Sequence, residues 1–160
     1  MRNLFATAAA SKRAAYFYCA AGSLFLASAI YILFRAESLL MFRWAHSLGL
    51  FPLIHFLRFY SLGVKPIIPA WIVYSLPFAL WTGSYMLFIQ AIWFGHKSIS
   101  RVIWFWAVPV ISLASELGQY WRLVPGTFDI FDLLTIAFAV ALVLTIIAFG
   151  PIEPREKKAL

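Results

Sequence analysis

Acidic side chains are scarce in this chain, with six Asp and Glu in 160 residues. Charged residues of both signs reach only 12%, against about 25% in an ordinary soluble domain, and 64% of the residues are apolar, against about 45–50%. A water-soluble globular domain is thereby excluded, and one integral membrane domain is expected. Cysteine is almost absent too: Cys19 stands alone, which rules out an intramolecular disulfide or a cysteine metal site within one chain. It lies in an apolar run and reads as a small packing residue. No glycine-rich phosphate loop, no local signature of a serine or cysteine nucleophile and no cofactor motif occurs. His46 and His55 lack the spacing of metal ligands and read as polar residues facing headgroups, so no metal is expected. Lys and Arg are not scarce, thirteen of them giving a net charge of +7. They sit at the ends of apolar runs instead of forming a stripe, which suits membrane topology and does not suit nucleic acid.

What is present is a series of apolar runs close to the roughly 20 residues needed to cross a bilayer. The expected fold is an all-α membrane protein with four transmembrane helices over about 14–34, 70–93, 102–121 and 130–149. Residues 1–13 form a basic amino terminus and residues 150–160 a charged tail. The first run resembles a secretory signal, but Ala27-Ser28-Ala29 is followed by further apolar sequence, so an uncleaved span is expected. Its small residues, Ala20, Ala21, Gly22, Ser23, Ala27 and Ser28, permit close helix contact. Residues 36–66 carry too many charges for a span. Met41, Trp44, Ala45 and Leu48 share one helical face opposite Arg43, His46 and Ser47, and Phe56, Phe59 and Tyr60 recur with His55 and Arg58. Two amphipathic helices in the headgroup layer, with Arg43 and Arg58 facing phosphates, fit this pattern; a re-entrant hairpin is the alternative. Pro77 predicts a kink in the second span. Counting Lys and Arg, the amino terminus, the 95–101 loop and the tail hold eight against five elsewhere, which predicts both termini in the cytoplasm.

Three of the six carboxylates fall between Glu116 and Asp132, with Gln119 and Arg122 among them, at the junction of the last two spans. Pro125-Gly126 predicts a tight turn there. Asp129 and Asp132 have the positions of a helix cap and a first-turn acid. Capping does not account for Glu116, which lies inside the apolar run where a carboxylate is costly unless paired or wetted. Two readings stand side by side. In one, Glu116, Gln119, Arg122 and Asp132 satisfy one another as a clamp between the last two helices. In the other, these residues and Asp129 line a polar pocket for the headgroup of a lipid-linked substrate. Glu116 and Asp132 are also the candidates for an acid and base pair, should the protein be an enzyme.

The run Glu116-x-x-Gln119, Arg122, then Pro125-Gly126-Thr127-Phe128-Asp129-x-x-Asp132 resembles the signature of the VanZ-like membrane proteins, in which a glutamate, a glutamine, an arginine and two aspartates recur in this order. Residues Tyr74 to Trp81 also resemble a segment of small bacterial relatives, which commonly carry an aspartate where this chain has Phe78. That departure takes one carboxylate out of the set. The resemblance covers roughly residues 36–149 and implies a bacterial inner-membrane protein working near the outer leaflet, in a family associated with glycopeptide resistance. The leading expectation is a non-enzymatic protein that binds membrane lipids, a lipid-linked cell-envelope precursor or a partner membrane subunit. The alternative is a small membrane enzyme acting on a lipid-linked glycan or phospholipid.

Overall fold

The computed structural model describes residues 2–149, so the tail from residue 150 onward lies outside the described residues. All regular structure among them is helical: α1 (Arg2–Phe34), α2 (Leu40–Ser47), α3 (Phe51–Ser61), a single 3-10 turn at Lys65–Ile67, α4 (Ala70–Tyr74), α5 (Leu76–Ile92), α6 (Ile99–Tyr120) and α7 (Ile130–Phe149). Three stretches, Ala10–Phe34, Ile99–Tyr120 and Ile130–Phe149, are long and apolar enough to cross a membrane. At about 1.5 Å per residue, even the shortest of them reaches about 30 Å, the thickness of a hydrocarbon core. Their outer faces are apolar as well, with Phe25, Ile111 and Phe138 all more than two-thirds exposed. Such a surface suits lipid, not water, and is compatible with a multi-pass membrane protein.

The centre of the bundle is α5, although it is the shortest of the four long helices. It packs against α1, α6 and α7. The core joins Ala20 of α1, Met86, Leu87 and Ile89 of α5, Phe105 of α6 and Ile136, Val140 and Val143 of α7. Small residues allow this enclosure. Ala20 and Ala27 are almost wholly buried, and the Ser84 hydroxyl, at the α1–α5 contact, donates to the Ala20 carbonyl at 2.7 Å. Of the small residues in α1, Ala21 and Gly22 are exposed and face away from that contact. Cys19 is exposed too and does not take the packing role expected of it.

Helix α1 is antiparallel to α5, with Tyr31 against Trp81 and Phe17 against Phe88. α6 is also antiparallel to α5, tied by Tyr85 Oη donating to the Trp104 carbonyl at 2.6 Å and by Arg101 donating to Gln90 at 2.8 Å. α7 returns beside them, Gly83 of α5 facing Ala139 and Val143. One end of the bundle therefore gathers the start of α1, the α5–α6 loop and the end of α7. The other gathers the end of α1, α2–α4 and the α6–α7 turn. Near the expected kink at Pro77 the helix is interrupted at Ser75, which separates α4 from α5 and leaves Pro77 in the first turn of α5. Proline has no N–H to continue the ladder from α4. Helix α1 runs unbroken from Arg2 through the basic segment.

In α3 the protein-facing side is Ile54, Arg58 and Ser61, while Phe56, Phe59 and Tyr60 point outward. In α2 the buried pair is Phe42 and Ala45, with Trp44 and Leu48 exposed. The aromatic stripes therefore lie on the outer surface, and a narrower set of residues attaches both helices to the end of α1.

Candidate functional site

Three buried side-chain oxygens lack a hydrogen-bond partner among the described residues: Ser75 Oγ, Glu116 Oε2 and Asp132 Oδ1. All belong to segments at the same end of the bundle, the α4–α5 break, the last turns of α6 and the first turn of α7. Glu116 is 5% exposed. The backbone N–H of Asp129 hydrogen-bonds to its carboxylate, and the carboxylates of Asp132 and Asp129 are its charged neighbours. Two like charges beside a buried, half-satisfied carboxylate form a site that demands donors.

The α6–α7 turn explains why these groups are held so close. At the end of α6 the N–H of Leu123 bonds the Gly118 carbonyl at 2.8 Å and that of Arg122 bonds the Gln119 carbonyl at 3.0 Å. This paired closure needs a left-handed residue, and Arg122 supplies it with φ of 59°. Val124 then folds onto Gly118, where a Cβ would lie 2.8 Å from its Cγ2. Gly126, with φ of 138°, presses on Gln119, and Tyr120 meets Phe128 with ring centroids 5.2 Å apart. Asp129 Oδ1 accepts from the Phe131 N–H at 2.8 Å and so caps α7, which places Asp132 in its first turn.

Of the residues expected to form the pocket, the structure brings together Glu116, Asp129 and Asp132. Gln119 lies one helical turn from Glu116 but is packed under Gly126. Arg122 is exposed, and no ion pair joins it to any of the three carboxylates. The expected clamp is therefore absent: the left-handed closure of α6 is made at Arg122 itself, and the orphaned oxygens stay unmet. Glycine at position 122 would remove the cost of that backbone conformation, about 1 kcal/mol. Arg122→Gly is thus expected to raise the thermal unfolding midpoint measured in detergent.

Arg58 also differs from its expected role. It does not face headgroups but closes the end of α1, donating to the carbonyls of Ile32 and Arg35 at 2.9 Å each. It pairs with Glu37 at 3.2 Å and lies over the Phe42 ring, with its side chain 14% exposed. A planar fork reaches two carbonyls that a lysine cannot reach together. Arg58→Lys is expected to cost about 1 kcal/mol of stability, read as a lower midpoint in the same melt. Arg43 is exposed on α2 with a free outer face, as a headgroup contact requires. Ser75 is the site residue that the sequence reading did not single out. Its signal was a serine two residues before a proline inside an apolar run, where a freed backbone invites a polar side chain.

His46 and His55 both rest against Phe51, and among the described residues no three His, Cys, Asp or Glu side chains converge as metal ligands. The site offers unpartnered acceptor oxygens beside clustered carboxylates. Comparison with protein-family models, with curated proteins and with solved structures finds no match.

Proposed function

We propose that this chain is a VanZ-like protein of the bacterial inner membrane whose Glu116–Asp129–Asp132 cluster binds the headgroup of a membrane lipid or lipid-linked envelope precursor through a cationic amine. The observation that carries the reading is the pair of buried, unpartnered oxygens, Glu116 Oε2 and Asp132 Oδ1. An ammonium group offers three donors and a positive charge, which would satisfy both and offset the repulsion between the carboxylates. A lysine or arginine of a partner membrane subunit carries the same chemistry. The order of glutamate, glutamine, arginine and two aspartates in the sequence supports the family reading.

In this reading α4 and α5 together make a fourth crossing. The Lys and Arg bias then places both termini in the cytoplasm and the cluster at the outer leaflet. Single cysteines at positions 98 and 127, in a Cys19→Ser background, are expected to label from opposite faces. An impermeant thiol reagent on intact spheroplasts should reach position 127 and spare position 98. The reverse pattern inverts the topology, and labelling of both would mean that α6 does not cross.

The functional test is a panel of envelope lipids with and without a primary amine, offered to the purified protein. Retention of amine-bearing lipid without chemical change, lost on Glu116→Gln, is the expected result. Retention indifferent to the amine ends the proposal. Product in stoichiometric excess, also lost on Glu116→Gln, would instead make Glu116 and Asp132 the acid and base pair of a membrane enzyme.

A further inference from the structure

Arg35 follows the apolar stretch Ala10–Phe34 and stands at the same end of the bundle as the acid cluster. Its guanidinium lies against two aromatic rings, 5.4 Å from the centroid of Tyr31 and 4.9 Å from that of Tyr74. A ring face attracts the cation but offers no lone pair to its N–H donors. Among the described residues no carboxylate pairs with Arg35. Glu37, the acid nearest to it along the chain, is held at 3.2 Å by Arg58, which also donates to the Arg35 carbonyl at 2.9 Å and so pins the backbone there. Tyr74 is more than half exposed, whereas Ser75 beside it is 0% exposed, with its Oγ unpartnered. The helix registers bring that oxygen to the acids. α5 meets α6 at Tyr85–Trp104 and Gln90–Arg101, and meets α7 where Gly83 faces Ala139 and Val143. Followed toward the α4–α5 break, both registers put Ser75 level with Glu116 and Asp132 to within a helical turn.

We infer that Arg35 is the phosphate-binding residue of this site and that its ligand is a zwitterionic phospholipid of the phosphoethanolamine class. The phosphate lies on Arg35, and the primary ammonium lies among Ser75 Oγ, Glu116 Oε2 and Asp132 Oδ1. The inference rests on the amine reading above and adds the second charge of the headgroup. Three unpartnered oxygens match the three N–H donors of a primary ammonium one for one, and a quaternary ammonium has none to offer. A guanidinium takes phosphate through two parallel N–H···O bonds, and one already held by two rings and a pinned backbone loses little freedom on binding. A cation just past the end of a membrane stretch is at the level of headgroup phosphates. Ile67 and Trp71, exposed on the segment leading to Tyr74, offer apolar surface to the acyl chains.

Native mass spectrometry of the full-length protein tests this with dioleoylphosphatidylethanolamine, dioleoylphosphatidylcholine and oleylamine, an amine without phosphate. Preferential retention of phosphatidylethanolamine is expected. Arg35→Gln should lower it about tenfold, the loss of a hydrogen bond to a charged group, without lowering retention of oleylamine, and Arg35→Lys should recover part of it. Glu116→Gln and Ser75→Ala, on the amine side, should lower retention of both. Undiminished phosphatidylethanolamine in Arg35→Gln would show that Arg35 takes no phosphate, and an equal loss of oleylamine would make it a structural residue. Either result overturns the inference and leaves the amine reading standing. Equal retention of phosphatidylethanolamine and phosphatidylcholine would instead remove the amine reading and this inference with it. Free O-phosphoethanolamine carries the same headgroup without chains, and its displacing the lipid at equal concentration would overturn the assignment to a phospholipid.

Discussion

Alanine at position 116 is expected to lower the stability of the protein in detergent by about 1–3 kcal/mol, whereas glutamine there should leave it at or above the wild-type level. The Asp129 N–H donates to the Glu116 carboxylate, so truncation orphans the first residue of the α7 cap and opens a void in the last turns of α6. Glutamine keeps an acceptor for that N–H. Its amide also brings a donor next to Asp132 Oδ1, which has none, and it removes one of the neighbouring negative charges. A buried site that is half satisfied gains when a missing donor is supplied. An acid at a position where an amide is the more stable residue is what a binding role predicts. Thermal melts of both variants, alongside retention of amine-bearing lipid, provide the check. A Glu116→Gln protein as unstable as Glu116→Ala would show that the charge itself holds the fold. Full lipid retention by a stable Glu116→Gln protein would reduce the motif to hairpin chemistry.

The legible parts of this molecule were those where one chemical feature has one structural consequence. A long apolar run marked α7 and its start after Asp129, because such a run has no other use for its length. The Asp129 cap was readable for the same reason. Enclosure was not readable. Hydropathy measures how apolar a helix is and not what surrounds it, so α5 gave no sign of being central beyond the small residues Ala79, Gly83, Ser84 and Ala91 on its surface. Charged residues misled most. A cation on an amphipathic helix reads as facing water or phosphate, yet Arg58 turns inward because α1 ends beside it with unpaired carbonyls. Arg122 was read as a partner for acids because its side chain can reach them. Its backbone task, closing α6 in a left-handed conformation, decided otherwise, and positive φ at a non-glycine residue leaves no trace in composition.

Gly126→Ala is the most disruptive small change expected in the turn, at about 1–3 kcal/mol of stability, and it should weaken lipid retention beyond that. Two costs coincide at this position. The φ of 138° is one that side-chain-bearing residues rarely adopt, and a Cβ there would lie 2.8 Å from Cδ and Nε2 of Gln119. The second cost is relievable because Gln119 is a flexible side chain, and the first is not. A double-mutant cycle separates them: Gly126→Ala placed in a Gln119→Ala background should recover the steric part and retain the backbone part. Gln119 sits one helical turn from Glu116, and the chain from Gly126 runs in three residues to the Asp129 N–H that Glu116 accepts. Pressure on this contact therefore moves the donor and the acceptor of the cluster together. Lipid retention should fall in the single variant even at temperatures where the protein remains folded, and rise again when Gln119 is shortened. Retention unchanged in a destabilised Gly126→Ala protein would separate the turn from the cluster and leave Glu116 and Asp132 positioned by α6 and α7 alone.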